Sequence, residues 1–482
     1  MRASSTVRCH ETQDSFNRGL CGRTYLSSVT VRALSSSRVA TTKTVSNRKI
    51  AKEGNYGANS SARPSLKPPP NPPRSLSQFY LFLTGFPFPL GPLFQRKTCR
   101  YEIEKDTIWT FEQTQALENF CVYTPVRMTV IRLKSGGLWV HSPIAPTEEC
   151  VSLVRELGEV EYIVLPTFAY EHKVFVGPFS RSFPGAKVYT NPYQWSFPLN
   201  LPSQFYGIFP SGELQDDDLT TPWADEIEQK LFLPPSIGVG SYVRFSECAF
   251  FHKRSRTLLV TDAVIYVDDE IPDVVPEDAL LELARDNLLN RFVSGGRSSE
   301  EVKAIARPEP VEDTLENRIR GWRRMSLLVL YFSPSDLLTP DPSFEAISDR
   351  LIVGPVLETL VYSKVKVSVR RWVDSIVRDW NFNKVIPAHF AGPVKTNPAE
   401  FKRAFSFVYE DDESQQEVSE KEGGFPIPSV LKSFVEGLGF GNSSKSKKLA
   451  RVVDFPEADI KALRSLNSLL LSSGLVKKDA DA

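Results

Sequence analysis

Apolar and polar residues alternate along PVRMTVIRL, from Pro125 to Leu133, the two-residue period of a half-buried strand. The turn Ser135-Gly136-Gly137 leads into GLWVHSP, which reads as its hairpin partner. Thr147 is placed to cap a helix that carries Glu148 and Glu149 in its first turn and can end at Gly158. EYIVLP, from Glu161 to Pro166, is a short apolar run suited to a strand buried on both faces, and AKVYTN, from Ala186 to Asn191, predicts the next one. VRFSECAFFH and RTLLVTD flank Lys253-Arg254-Ser255 and predict a second hairpin. From about Pro276 to Trp380 the pattern is mainly helical. Its last member, VRRWVDSIVRDW, sets Trp372, Ile376 and Trp380 on one face and leads into the short strand KVIPAHF. This order of elements predicts an α/β class with a mainly helical insertion.

The ends of the chain lack such a pattern. Residues 1–62 are rich in Ser, Thr and Arg, contain only Glu11, Asp14 and Glu53 as acids, and have no apolar period. They read as a disordered organelle transit peptide, since a secretory signal needs an apolar h-region; a basic tail that stays attached is the alternative. Residues 63–91 follow as a Pro-rich linker (SLKPPPNPPRS) and an apolar arm. Residues 92–409 are assigned to the folded domain. Residues 410–482 are read as an acidic, flexible linker followed by one amphipathic helix, EADIKALRSLNSLLLSSG.

Composition narrows the partners. Among 482 residues, 58 Lys and Arg balance 58 Asp and Glu, which gives no reason to expect nucleic acid. The apolar run Phe79 to Phe94 is shorter than the ~20 residues of a membrane span and is interrupted by Pro87, Pro89 and Pro92. Six cysteines without a C-x-x-C pair read as isolated reduced thiols. No P-loop, G-x-G-x-x-G or G-x-S-x-G pattern occurs. RIRGWRR, Arg318 to Arg324, reads as a solvated helix face. The acidic Asp216–Asp218 and Trp223–Glu226 stretches read as helix starts.

The candidate chemistry lies at strand ends. Glu171 and His172 follow EYIVLP, Asp262 closes RTLLVTD, and His389 closes KVIPAHF. If these strands are neighbours with one polarity, four side chains meet at one sheet edge, where α/β folds build their sites. Two imidazoles and two carboxylates suit a single divalent zinc, iron or manganese ion. Each residue alone has a structural explanation, such as Asp262 capping a turn. His141 lies within a strand, where a structural role is the default. His252 lies across a hairpin turn, about 16 Å from Asp262 at ~3.3 Å per strand residue, and is left out.

From Pro125 to Pro393 the chain resembles the metallo-β-lactamase-like superfamily in the order of these segments. The family's His-x-His-x-Asp-His motif is matched in register by Thr167 to His172, with Thr167 and Ala169 at the first two His positions, Glu171 at the Asp and His172 at the last His. LLVTDAV resembles the segment of the metal-bridging carboxylate, and VIPAHF the closing segment of the last ligand. A third first-metal His would fall near Gly238–Ser241, where none occurs. The resemblance therefore implies an αββα sandwich that keeps a second-metal set, Glu171, His172, Asp262 and His389, and lacks the first. VRMTVIRLKSGGLWVHSPIAPT, EYIVLPTFAYEHKVFVGPFSR and FFHKRSRTLLVTDA are further similar to a domain-of-unknown-function family of plastid and cyanobacterial proteins. That association implies a chloroplast address, with the mitochondrion as alternative, and no established activity.

Two functional readings stay open at this point. One is a single-metal hydrolase of an ester, thioester or phosphoester acting on a small molecule. The other is a non-catalytic binding or assembly protein that keeps the fold, holds no metal and engages a protein partner through the apolar arm or the tail helix.

Overall fold

The computed structural model describes residues 76–81, 93–117, 122–194, 201–238, 244–287, 290–291, 293–331, 333–410 and 454–480. The transit-like region and most of the acidic linker lie outside the described residues. Described strands are β1 (Phe79–Leu81), β2 (Leu93–Gln95), β3 (Cys99–Glu104), β4 (Ile108–Leu117), β5 (Val122–Arg132), β6 (Leu138–His141), β7 (Val160–Leu165), β8 (Lys187–Thr190) and β9 (Gly212–Glu213), followed by β10 (Ile227–Phe232), β11 (Glu247–His252), β12 (Thr257–Leu259), β13 (Ile265–Tyr266), β14 (Leu351–Ile352), β15 (Lys384–Ile386) and β16 (Val394–Lys395). Described helices are α1 (Glu148–Arg155), α2 (Tyr170–Ser182), α3 (Glu277–Ala284), α4 (Ser299–Ile305), α5 (Leu315–Tyr331), α6 (Asp341–Glu345), α7 (Pro355–Leu360), α8 (Lys366–Asp379), α9 (Pro398–Ala404) and α10 (Glu457–Ser472).

Two sheets carry the domain. The first runs β3-β4-β5-β6-β7-β8-β9, antiparallel as far as β6 and parallel beyond it. The second runs β10-β11-β12-β15-β16, and its single parallel pair is β12 with β15. Ile108, Ile131, Trp139 and Val164 of the first sheet share one core with Ile227, Cys248, Phe250, Leu259 and Ile386 of the second, so the sheets face each other. On its other face the first sheet packs Val126, Met128 and Val140 against Cys150 and Val154 of α1 and Val176 and Phe179 of α2. The second packs Ala249, Leu258 and Val385 against Val369, Trp372 and Ile376 of α8 and Phe401 of α9. The order of layers is helix, sheet, sheet, helix, the αββα sandwich expected.

The local chemistry follows the sequence closely at several points. Thr147 caps α1 by accepting from the Cys150 N–H at 3.1 Å. The hairpin turn at Lys253–Ser255 joins β11 to β12 as expected. Helices α3 and α5 form the insertion, where Gly321 lies so close to the Leu280 carbonyl that a Cβ would meet it at 1.9 Å. Cys99, Cys150 and Cys248 are unpaired and buried. No helix among the described residues is long and apolar enough to cross a membrane.

Two local expectations are corrected. Arg324 does not belong to a solvated face: it is fully buried, donates to the Leu283 and Ala284 carbonyls, and pairs with Asp286 at 2.5 Å. Arg318 and Arg323 of the same run do face outward, in pairs with Asp313 and Asp269. The acidic stretches after β9 start no helix. Asp216 instead accepts from the Leu231 N–H and Asp218 from that of Thr220, which uses their carboxylates in turns before β10. The amphipathic tail helix forms as α10; Phe455 and Ile460 enter the core of the insertion, and Asp459 accepts from the Ser335 N–H at 2.6 Å. Before Pro92, β1 of the apolar arm pairs with β2, and Gln78 donates to Glu149 of α1 at 3.0 Å.

Candidate metal centre

The fold gathers residues far apart in the chain. Parallel pairing of β12 with β15 sets Leu259 opposite Ile386, and Asp262 and His389 each lie three residues beyond that pair. Both side chains therefore emerge at one edge of the second sheet. From the first sheet, β7 ends at Leu165, and the chain enters α2 with Glu171 and His172 in its first turn. The two sheets are stitched at this end: Cys248 N donates to the Pro166 carbonyl at 2.7 Å, and Val126 forms an isolated bridge with His389.

Glu171, His172, Asp262 and His389 each place one ligand atom within 4.8 Å of all the others. The Nε2 atoms of His172 and His389 are 3.2 Å apart, and Asp262 Oδ1 lies 3.2 Å from the latter and 4.0 Å from the former. Bonds of ~2.0–2.1 Å to a tetrahedral ion would separate neighbouring ligand atoms by about 3.4 Å, close to the two 3.2 Å separations and shorter than the 4.0 Å between His172 and Asp262. His172 Nδ1 is 2.6 Å from Ser142 Oγ, and His389 Nδ1 is 3.0 Å from the Pro125 carbonyl, which leaves both Nε2 atoms facing the centre. Asp262 Oδ2 is buried and has no hydrogen-bond partner among the described residues. The donor set fits a divalent cation, and Asp262 Oδ2 leaves room for a further bond on that side.

Electrostatics agree with that geometry. Burial pushes the His172 imidazole down to about 4. Burial opposes protonation of His389 too, but its bond to Asp262 together with the Asp262 and Glu171 charges raises it, while that bond and the two imidazoles together hold Asp262 low against burial. Burial, then repulsion from Asp262, raises Glu171.

Three groups that the sequence analysis did not single out hold the cluster. Ser142, which aims its hydroxyl at His172, has a φ of 55°, and Phe390, directly after His389, has the same value. Non-glycine residues rarely take that conformation, and here it flanks the site. The Arg127 guanidinium, paired with Glu112 at 2.7 Å, donates to the carbonyls of Pro387 and Phe390 on either side of His389. Glu247 accepts from the backbone of the Asp262 loop; burial, with Asp262 adding to it, pushes its carboxyl up to about 8. Arg127 and Glu247 did leave a signal, being charged residues inside apolar strand patterns. Ser142 left none.

Among the described residues, the two other histidines give no donor to the cluster. His141 is buried between Trp139 and Phe250. His252 binds Ser255 at 2.7 Å in the hairpin. Burial, then the Arg254 charge, pushes His252 from 6.5 down to about 4, so the unfolded chain binds the extra proton between those values. Stability should therefore fall as pH drops through this window, by about 1.4 kcal/mol per pH unit for this group at most. Urea unfolding at pH 7, 6 and 5 should show a shallower decline in His252→Asn than in the parent; parallel declines would contradict the assignment.

A four-layer αββα sandwich with imidazoles and carboxylates gathered where its two sheets meet is a metallo-β-lactamase-like domain. The chain belongs to the family described as Domain of unknown function (DUF4336), whose model matches residues 105–342 and 339–407. Similar solved structures include a metallo-β-lactamase from Pontibacter korlensis, at 11% identity and a TM-score of 0.32, covering 65% of this chain and 100% of that one. A metal-soaked flavodiiron core from Synechocystis sp. gives 10% identity and a TM-score of 0.35, over 66% of this chain and 62% of that chain. A diflavin flavoprotein fragment from Nostoc sp. gives 9% and 0.36, over 67% and 99%. No curated protein matches the chain by sequence.

Proposed function

We propose that the protein is a mononuclear metalloprotein in which Glu171, His172, Asp262 and His389 hold one divalent ion, used to hydrolyse an ester, thioester or phosphoester. The observation that carries this reading is the convergence of four donor atoms within 4.8 Å while both Nδ1 atoms are turned away to bind Ser142 and Pro125. The ion would supply Lewis acidity towards a carbonyl or phosphoryl oxygen, or a water acidified for attack. His172, almost fully buried, and Asp262 and His389, 15% and 11% exposed, form the inner wall of the site. Glu171 is partly exposed and closes the donor set on its solvent side.

A second reading, a non-catalytic protein that keeps the fold, is favoured by Thr167. Its hydroxyl is occupied in accepting from the Ala169 N–H at 3.1 Å, and no other cluster of metal-ligand type occurs among the described residues.

Metal analysis of the full chain, purified without chelator, separates the two. About one zinc, iron or manganese per chain is expected in the parent and none in His172→Ala/Asp262→Ala/His389→Ala. A parent without metal that takes up none on dialysis against each ion would remove the hydrolase reading and leave the second.

A further inference from the structure

The structure assigns Glu247 as a positioning residue that fixes the direction of Asp262 towards the metal; the assignment rests on the metal-centre reading above. Glu247 is the first residue of β11 and is completely buried. Its Oε1 accepts from the N–H groups of Thr261 at 2.7 Å and Ala263 at 3.3 Å, and its Oε2 accepts from Asp262 N at 3.3 Å. Three consecutive backbone donors of the Asp262 loop thus converge on one side chain. The loop follows β12 and carries no helix or ladder to satisfy those donors. Without an acceptor they would be buried and unpaired, and the loop would have to turn to find others.

Glu247 is held from the other side as well. Its backbone bridges to Thr167, on the segment that leads to Glu171 and His172. One buried residue therefore ties the loop of one ligand to the approach of two more. Arg127 does the complementary task for His389, giving donors to carbonyls where Glu247 gives acceptors to N–H groups. A side chain that only stabilised the fold could sit anywhere along the inter-sheet core. This one makes its bonds to the ligand residue and both of its neighbours.

Cobalt(II) titration of the full chain, followed by visible absorption, reads ligand geometry directly and needs no substrate. The parent should bind one equivalent with a ligand-field band. Glu247→Ala should bind about 10–100-fold more weakly with an altered band, the usual cost of losing a group that orients a ligand. Glu247→Gln keeps an oxygen for Thr261 and Ala263 and should restore affinity to within a few-fold. Arg324→Met, which breaks a buried pair in the insertion, controls for lost stability and should leave the band unchanged. If Glu247→Ala does not fold, Glu247→Asp, which withdraws the carboxylate by one methylene, should show the same loss. Cobalt bound by the parent and, with the same band and affinity, by Glu247→Ala, or by Glu247→Asp where Glu247→Ala does not fold, would overturn this role alone. No cobalt in the parent would overturn the metal centre and this role with it.

Discussion

Arg127→Met should destabilise the protein by about 3–5 kcal/mol, read as a lower urea midpoint with an unchanged slope. Arg127 and Glu112 are each 1% exposed, and Nε and Nη2 of the arginine both donate to Glu112 Oε1, at 2.9 and 2.7 Å. Methionine fills a similar volume but leaves the Glu112 carboxylate without its charge partner and takes two donors from the Pro387 and Phe390 carbonyls. A charge stranded in the core costs more than the intact pair contributes, so removing both partners should be milder than removing one. Arg127→Met/Glu112→Leu is therefore expected to recover a substantial part of the loss. The idea fails if the single variant loses under about 1 kcal/mol or if the double variant loses as much as both singles together. Because the affected carbonyls flank His389, the single variant should also bind metal more weakly, whereas the backbone bond from Arg127 N to the Ala388 carbonyl remains in every variant.

The same residues show where the sequence was legible and where it was not. The strands ending at Leu165, Leu259 and Ile386 are apolar runs closed by a ligand-type residue, so all four ligand candidates could be named from pattern alone. Their convergence depends on β12 lying parallel to β15 across the whole helical insertion, which no local pattern encodes. The hairpin of β3 and β4 is not legible in the sequence because Thr110, Glu112, Gln113, Thr114 and Gln115 interrupt the alternation with polar residues that are nonetheless buried. Those positions lie where the first sheet is bonded to polar groups instead of apolar side chains: Gln113 reaches the Ala145 carbonyl and Glu112 reaches Arg127. A polar residue inside an apolar pattern lowers the strand signal and at the same time marks a buried bond. Read the second way, Arg127 and Glu247 point to the site, and Arg324 to the core of the insertion. Ser142 could not be read at all, because its importance lies in a left-handed backbone that places one hydroxyl against His172.

Adding zinc to chelator-treated protein should raise its stability by about 1.4 kcal/mol for each tenfold rise in free metal above the dissociation constant, reaching about 4 kcal/mol at a thousandfold excess. The physical source is the charge inside the cluster. Two carboxylates lie beside two imidazoles, with the His389 Nε2 3.2 Å from both Asp262 Oδ1 and the His172 Nε2. A divalent ion would bond to all four donors at once, including the side of the cluster where Asp262 Oδ2 has no partner among the described residues. The unfolded chain holds these residues apart and binds metal far more weakly, so the gain falls on the folded state. Asp262→Asn is close to the same shape and keeps the backbone bond from its N–H to Glu247, yet loses the charge that both imidazoles face. Its stability should rise much less steeply with zinc while its packing is unchanged. Urea midpoints measured at four free-zinc concentrations decide the matter. Parallel lines for parent and variant would mean that any zinc effect arises elsewhere on the chain, and a flat line for the parent would mean that the four side chains meet for structural reasons alone.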